Sequence, residues 1–93
     1  MFSITPQAAQ HILASADQNN ATGLALRLAA RKDESGTTEY GMGFDHPQEG
    51  DTQLVSNGVT VVYQSSFEDD LVDIKLDYVK MESGDFGFAF IDQ

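Results

Sequence analysis

LALRLAARKDESGTTEYGMGF, Leu24 to Phe44, carries the clearest structural pattern in the chain. Leu24, Leu26, Leu28 and Ala30 alternate with Ala25, Arg27, Ala29 and Arg31, the period-two signature of a half-buried strand. After the polar run Lys32 to Thr37 the alternation resumes, with Thr38, Tyr40, Met42 and Phe44 set against Glu39, Gly41, Gly43 and Asp45. A second strand therefore returns beside the first. Ser35 stands near the tip of the loop between them.

Towards the N-terminus, Phe2 to Thr5 reads as a short strand. Thr5 before Pro6 is an N-cap followed by proline at the first helical position. In the helix that starts there, Ala8, Ala9, Ile12, Leu13 and Ala16 share one face, and Gln7, His11, Ser15 and Gln18 share the other. Asp17-Gln18-Asn19-Asn20 marks its end. The narrow, alanine-rich stripe suits close packing on a sheet, whereas a membrane-surface helix needs bulky apolar residues and a basic polar face.

Towards the C-terminus, Asp45 to Asp51 has loop composition, and Thr52 to Val55 and Val59 to Tyr63 flank Asn57-Gly58. Asn-Gly is the strongest short hairpin signal, because both central residues of a type I′ turn need positive φ. Ser65-Ser66-Phe67-Glu68 has capping-box spacing, and the acidic turn Glu68-Asp69-Asp70 suits a helix N-terminus, so one or two helical turns are expected. From Leu71 to Lys80, Val72, Ile74, Leu76 and Tyr78 alternate with Asp73, Lys75 and Asp77. After the turn Glu82 to Asp85, Phe86, Phe88 and Phe90 occupy one face of a last strand and are expected in the core, since exposing each forgoes roughly 1.5–3 kcal/mol. The expected fold is mainly β with one N-terminal helix (α+β), a compact antiparallel or mixed β domain of short hairpin-linked strands over residues 1–93. No internal repeat or low-complexity segment interrupts it.

Fifteen acidic side chains against five basic ones give a formal charge of −10, which repels phosphate backbones and anionic membranes. Nucleic acid is not expected as a direct partner. Such acidity serves solubility first, and attraction of a basic protein partner is the functional alternative. No apolar run reaches the ~20 residues that span a bilayer, and MFSITPQ lacks the features of a secretory signal, so the cytoplasm is the default. There is no cysteine, which excludes disulfides, thiol nucleophiles, and cysteine-ligated zinc or iron–sulfur sites from this chain acting alone.

Six segments in order, ITPQAAQHI, GLALRLAAR, YGMGF, NGVTVVYQ, LDYVK and GFAF, resemble the A-type iron–sulfur carriers, the HesB/IscA-like family, over nearly the whole chain. The resemblance implies a small HesB-like β domain, often dimeric or tetrameric in the family; the residues themselves leave the oligomeric state open. It also implies three cysteine ligands, one in the loop after the LRL strand and two in a Cys-Gly-Cys tail. The first place falls on Ser35, and the chain reaches Gln93 without the tail pair. No cofactor is expected on this basis, and an iron–sulfur cluster is expected to be absent. The segments LRLAA, YGMGFD and LDYV further resemble cysteine-less accessory members found with bacterial sulfur-oxidation machinery. A non-catalytic accessory or regulatory role through protein partners in sulfur oxidation or iron–sulfur assembly is implied.

The remaining candidates are few. His11 lies on the polar face of the helix and reads as solvent-facing. His46 with Asp45, Glu49 and Asp51 offers nitrogen and oxygen donors for a divalent cation or mononuclear iron, although the spacing matches no calcium loop and is ordinary loop composition. Asp73 and Asp77, at the end of the acidic run from Glu68, read as a solvated strand face or a docking patch for a basic partner. Arg27 and Arg31, the only arginines, are expected to pair with Asp73 or Asp77 or to mark a recognition surface. No catalytic site is expected: Glu34-Ser35-Gly36 lacks the nucleophile elbow, and no phosphate loop, dinucleotide fingerprint or zinc spacing occurs.

Overall fold

A computed structural model describes all residues, Met1–Gln93. The elements are β1 (Ser3–Ile4), α1 (Pro6–Gln18), β2 (Ala25–Lys32), β3 (Thr38–Asp45), β4 (Asp51–Ser56), β5 (Val59–Gln64), a single 3-10 turn (Ser65–Phe67), α2 (Glu68–Leu71), β6 (Ile74–Lys80) and β7 (Phe86–Asp92). They form two sheets, ordered β1-β6-β7 and β3-β2-β5-β4. The mainly β architecture with one N-terminal helix and a short second one is as expected.

The β2–β3 hairpin pairs Ala25 with Asp45 through to Lys32 with Thr38, so Leu26, Leu28 and Ala30 are buried on one face. Asn57 and Gly58 hold φ of 49° and 83° and close the β4–β5 hairpin at the Asn-Gly turn. The longer-range pairings are parallel: β1 lies alongside β6 and β2 alongside β5. Those two parallel contacts convert a string of hairpins into two mixed sheets.

The Thr5 hydroxyl accepts from the Ala8 amide at 3.2 Å, capping α1, and itself donates to Asp77 at 2.7 Å. Ala8, Ala9, Ile12 and Ala16 are buried as their stripe requires, and α1 packs on β6 and β5. Leu13 differs: it is 50% exposed, because the apolar stripe is narrower than the expected set. The core joins Phe2 and Ile4, the helix stripe, Leu26, Leu28, Val61, Tyr63, Leu71 and Leu76 into one cluster.

Three further expectations need correction. The last strand, β7, is an edge strand, so Phe88 and Phe90 are only partly buried and Phe86 is 57% exposed. The sixth strand begins at Ile74, since Leu71 closes α2 and Val72 and Asp73 form a turn. The capping-box bonds are not made: Ser65 donates to the Gly50 carbonyl at 3.2 Å, and Glu68 accepts from the Tyr63 hydroxyl. Glu68 is drawn to a buried phenol rather than to the helix end.

That contact has a pH consequence. Tyr63 is only 2% exposed, and its phenol is pushed up to about 12, first by burial and then by Glu68. The folded chain holds this proton more tightly than the unfolded chain. The linked stability is intact below the ordinary value of 10.0 and is lost as pH rises through about 12. Thermal melts across this alkaline window are therefore expected to fall more steeply for the wild-type chain than for Tyr63→Phe; equal slopes would contradict the buried hydroxyl.

Candidate functional site

The loop at the tip of the β2–β3 hairpin is organised by Asp33. Its Oδ1 accepts from the Ser35 amide at 2.9 Å, the Ser35 hydroxyl at 2.6 Å and the Thr37 amide at 3.0 Å. Asp-x-Ser-x-Thr is a side-chain-stabilised turn, with Gly36 at a φ of 86°. These donors, the Ser35 hydroxyl foremost, hold the Asp33 carboxyl below its ordinary range. Ser35 is thus engaged by the turn, its proton directed at Asp33 and its oxygen 3.2 Å from the Thr37 hydroxyl.

At the other end of the hairpin, Arg27 binds two carboxylates. Its Nε donates to Asp45 at 2.8 Å, while its two terminal nitrogens reach the two oxygens of Asp51 at 3.1 and 2.7 Å. The fork matches the carboxylate plane. One terminal nitrogen also donates to the His46 carbonyl at 3.1 Å. The clamp ties β2 to both ends of the 45–51 loop, with Asp51 nearly buried at 5% exposure. Asp51 is held below the usual carboxylate range first by Arg27 and then by the Gln48 amide; Asp45 is lowered first by the His46 amide and then by Arg27. Arg27 is correspondingly raised.

The expected pairing of the arginines with Asp73 and Asp77 is therefore replaced. Arg31 meets Glu39 at 3.0 Å on an exposed face, where such a pair contributes little. The reason is topological: β2 and β6 belong to different sheets. Asp77 accepts from Thr5 and from the Tyr78 amide, which lower its carboxyl, so it supports the helix cap. Asp73 is exposed in the turn before β6.

Of the proposed cation donors, the structure brings Asp45 and Asp51 together, but around Arg27. His46 contributes its backbone carbonyl and amide to that arrangement, and Glu49 is exposed beside it. No group of three or more histidine or acidic side chains converges as a metal site. His11, read as solvent-facing, is exposed and stacks on Tyr78 with ring centroids 3.7 Å apart.

Two of these features escaped the sequence reading, and both have local signals. Asp33 stands two residues before Ser35 and four before Thr37, the spacing of the turn it forms. Arg27 and Asp45 share a hairpin face as diagonal neighbours, because Ala25 opposes Asp45. The Asp51 limb depends on the long-range pairing of β2 with β5 and had no such signal.

Comparison with known proteins follows the same architecture. No family model matches the chain, and no curated protein matches it in sequence. Among solved structures, IscA, determined with a 2Fe–2S cluster, superposes with a TM-score of 0.79 at 23% identity, covering 99% of this chain and 85% of IscA. Escherichia coli SufA, involved in biosynthesis of iron–sulfur clusters, gives 0.79 at 18% identity, over 97% and 78%. A protein from Aquifex aeolicus gives 0.72 at 30% identity, over 99% and 91%. The fold is the IscA-like fold of the A-type iron–sulfur carriers. At 30% identity over most of both chains, the protein belongs to one family with the Aquifex aeolicus protein.

Proposed function

We propose that this chain is a non-catalytic accessory or regulatory protein on an A-type carrier scaffold, acting by binding a protein partner of sulfur or iron–sulfur metabolism in the cytoplasm. One observation carries the reading: the IscA-like fold is kept over 99% of the chain, and residues 1–93 contain no cysteine, with Ser35 in the hairpin loop. The residues present do not fit an iron–sulfur cluster. A thiol near pKa ~8.5 yields a soft thiolate under metal influence. The aliphatic hydroxyl of Ser35 is a hard, protonated donor, and its proton is directed at Asp33. On a scaffold whose 93 residues offer no thiolate, surface recognition is the property left to carry function. The narrower likeness is to DsrR, the cysteine-less accessory protein of sulfur oxidation.

Anaerobic affinity capture from the native host, with the wild-type chain and with Asp73→Lys, tests the reading. The expected result is a stoichiometric protein partner and no co-purifying iron; iron-loaded chain with no partner would contradict it. Asp73 is the suitable site for charge reversal because it is exposed, whereas Asp77 serves the Thr5 cap.

A second reading, mononuclear iron or another metal held by carboxylates and His46, has to displace the Arg27 guanidinium from Asp45 and Asp51. Calorimetric titration with Fe(II) and Fe(III) decides it, saturable heat at micromolar protein being the supporting outcome.

A further inference from the structure

The turn of the β4–β5 hairpin reaches across to the other sheet. β1 is an edge strand beside β6, and the Thr5 amide that follows it donates to the Leu76 carbonyl at 3.0 Å. Ile4 directs its own backbone groups the opposite way, because hydrogen-bonding directions alternate along a strand. Its amide donates to the Ser56 hydroxyl at 2.9 Å, and its carbonyl accepts from the Asn57 side-chain amide at 2.7 Å. Ser56 and Asn57 thus stand where a further strand would pair. They latch β1, whose neighbourhood places Phe2 and Ile4 in the core at 2% exposure each, to the second sheet.

Asn57 is also the one asparagine of the chain followed by glycine; Asn19 precedes Asn20, and Asn20 precedes Ala21. A glycine in that place leaves its amide nitrogen unhindered, and nothing lies within 4 Å of where a Gly58 Cβ would stand. Both turn residues are exposed, so water reaches them. Asparagine before glycine is the arrangement in which the following amide nitrogen most readily attacks the side-chain carbonyl and expels ammonia. The nitrogen expelled in that reaction is Nδ2, the atom that Asn57 donates to Ile4.

We propose that Asn57 is a deamidation site whose conversion releases the N-terminal strand in one direction only. The Gly58 nitrogen bonds to Asn57 Cγ, the Cγ–Nδ2 bond breaks, and Nδ2 leaves as ammonia with the Gly58 proton. Water then opens the cyclic imide, at the side-chain carbonyl to give an aspartate or at the main-chain carbonyl to give an isoaspartate. Cyclisation and the latch compete for Nδ2, so the bond to Ile4 slows the reaction and local detachment of β1 admits it. After conversion the side chain is a carboxylate, an acceptor only, facing the Ile4 carbonyl, which is another acceptor. The isoaspartate also adds a carbon to the main chain inside the turn that pairs Ser56 with Val59, which spoils its type I′ closure. Either product leaves the outer side of β1 without its donor, and refolding does not restore it.

The purified full chain is aged at mildly alkaline pH, folded and in urea, and its peptides are followed by mass spectrometry with chromatographic separation of the aspartate and isoaspartate forms. The expected result in the folded chain is a gain of about 1 Da at Asn57 with Asn19 and Asn20 unchanged. Ser56→Ala, which removes the acceptor of the Ile4 amide, should speed the conversion by about threefold or more. The aged wild-type sample holds both forms and needs no variant. Separated by charge and compared by hydrogen exchange, the converted form should exchange the Ile4 and Thr5 amides about tenfold faster or more, while β2 stays protected. Equal protection of Ile4 and Thr5 in the two forms would overturn the release. Conversion at Asn19 or Asn20 ahead of Asn57, or an Asn57 that converts in urea and never in the folded chain, would overturn the site. Equal rates in the wild-type chain and Ser56→Ala would overturn its coupling to β1.

Discussion

Leu76→Ala is expected to remove about 2–5 kcal/mol of folding stability and to lower the melting temperature by at least ~10 °C. Leu76 is 0% exposed and lies on β6, the central strand of the three-stranded sheet. Opposite it in register are Ile4 of β1 on one side and Phe90 of β7 on the other, and its carbonyl accepts from the Thr5 amide at 3.0 Å. The side chain therefore sits where the N-terminal strand, the helix start and the C-terminal hairpin meet. The surrounding elements are fixed by backbone ladders, so they close only partly on the cavity that truncation leaves. Calorimetric or circular-dichroism melts measure the effect, and a loss below ~0.5 kcal/mol would place Leu76 outside the core.

Arg27→Gln is expected to give the second large effect, with a signature in pH as well as in temperature. The substitution removes the fork that joins β2 to Asp45 and Asp51 and leaves the nearly buried Asp51 with the Gln48 amide as its remaining donor. Melting should fall at neutral pH, and amides of the 45–51 loop should exchange faster. In the wild-type chain both carboxyls lie below the ordinary 3.8. Their linked stability is present above that value and is lost as pH falls through the folded values. Without Arg27 there is less to lose, so the drop in melting temperature between about pH 5 and about pH 2 should shrink. An unchanged acid profile would contradict the clamp; Asp33 and Asp77, held by other donors, keep their contributions in either chain.

Much of the local architecture is legible in the sequence because neighbouring residues determine it. Leu26, Leu28 and Ala30 specify a strand face, Asn57-Gly58 specifies a turn, and Thr5-Pro6 starts a helix. Pairing between distant strands carries no such signal. The parallel contacts of β1 with β6 and of β2 with β5 decide that Arg27 meets Asp51 and that β6 lies in another sheet, beyond its reach. Phe86, Phe88 and Phe90 show the same limit: their alternation correctly indicates a strand, but edge position, a property of the whole sheet, leaves Phe86 in solvent. At the candidate site, the absence of cysteine is explicit in the sequence, whereas the turn that engages the Ser35 hydroxyl emerges from the hydrogen bonds of Asp33.

The claim that this carrier-like scaffold works without a cluster is tested most directly by anaerobic reconstitution of the purified full chain with ferrous iron and sulfide. After desalting, the expected result is a chain without visible charge-transfer absorption and without stoichiometric iron or sulfide. A protein-bound cluster in stoichiometric amount, with those absorption bands, would contradict the claim.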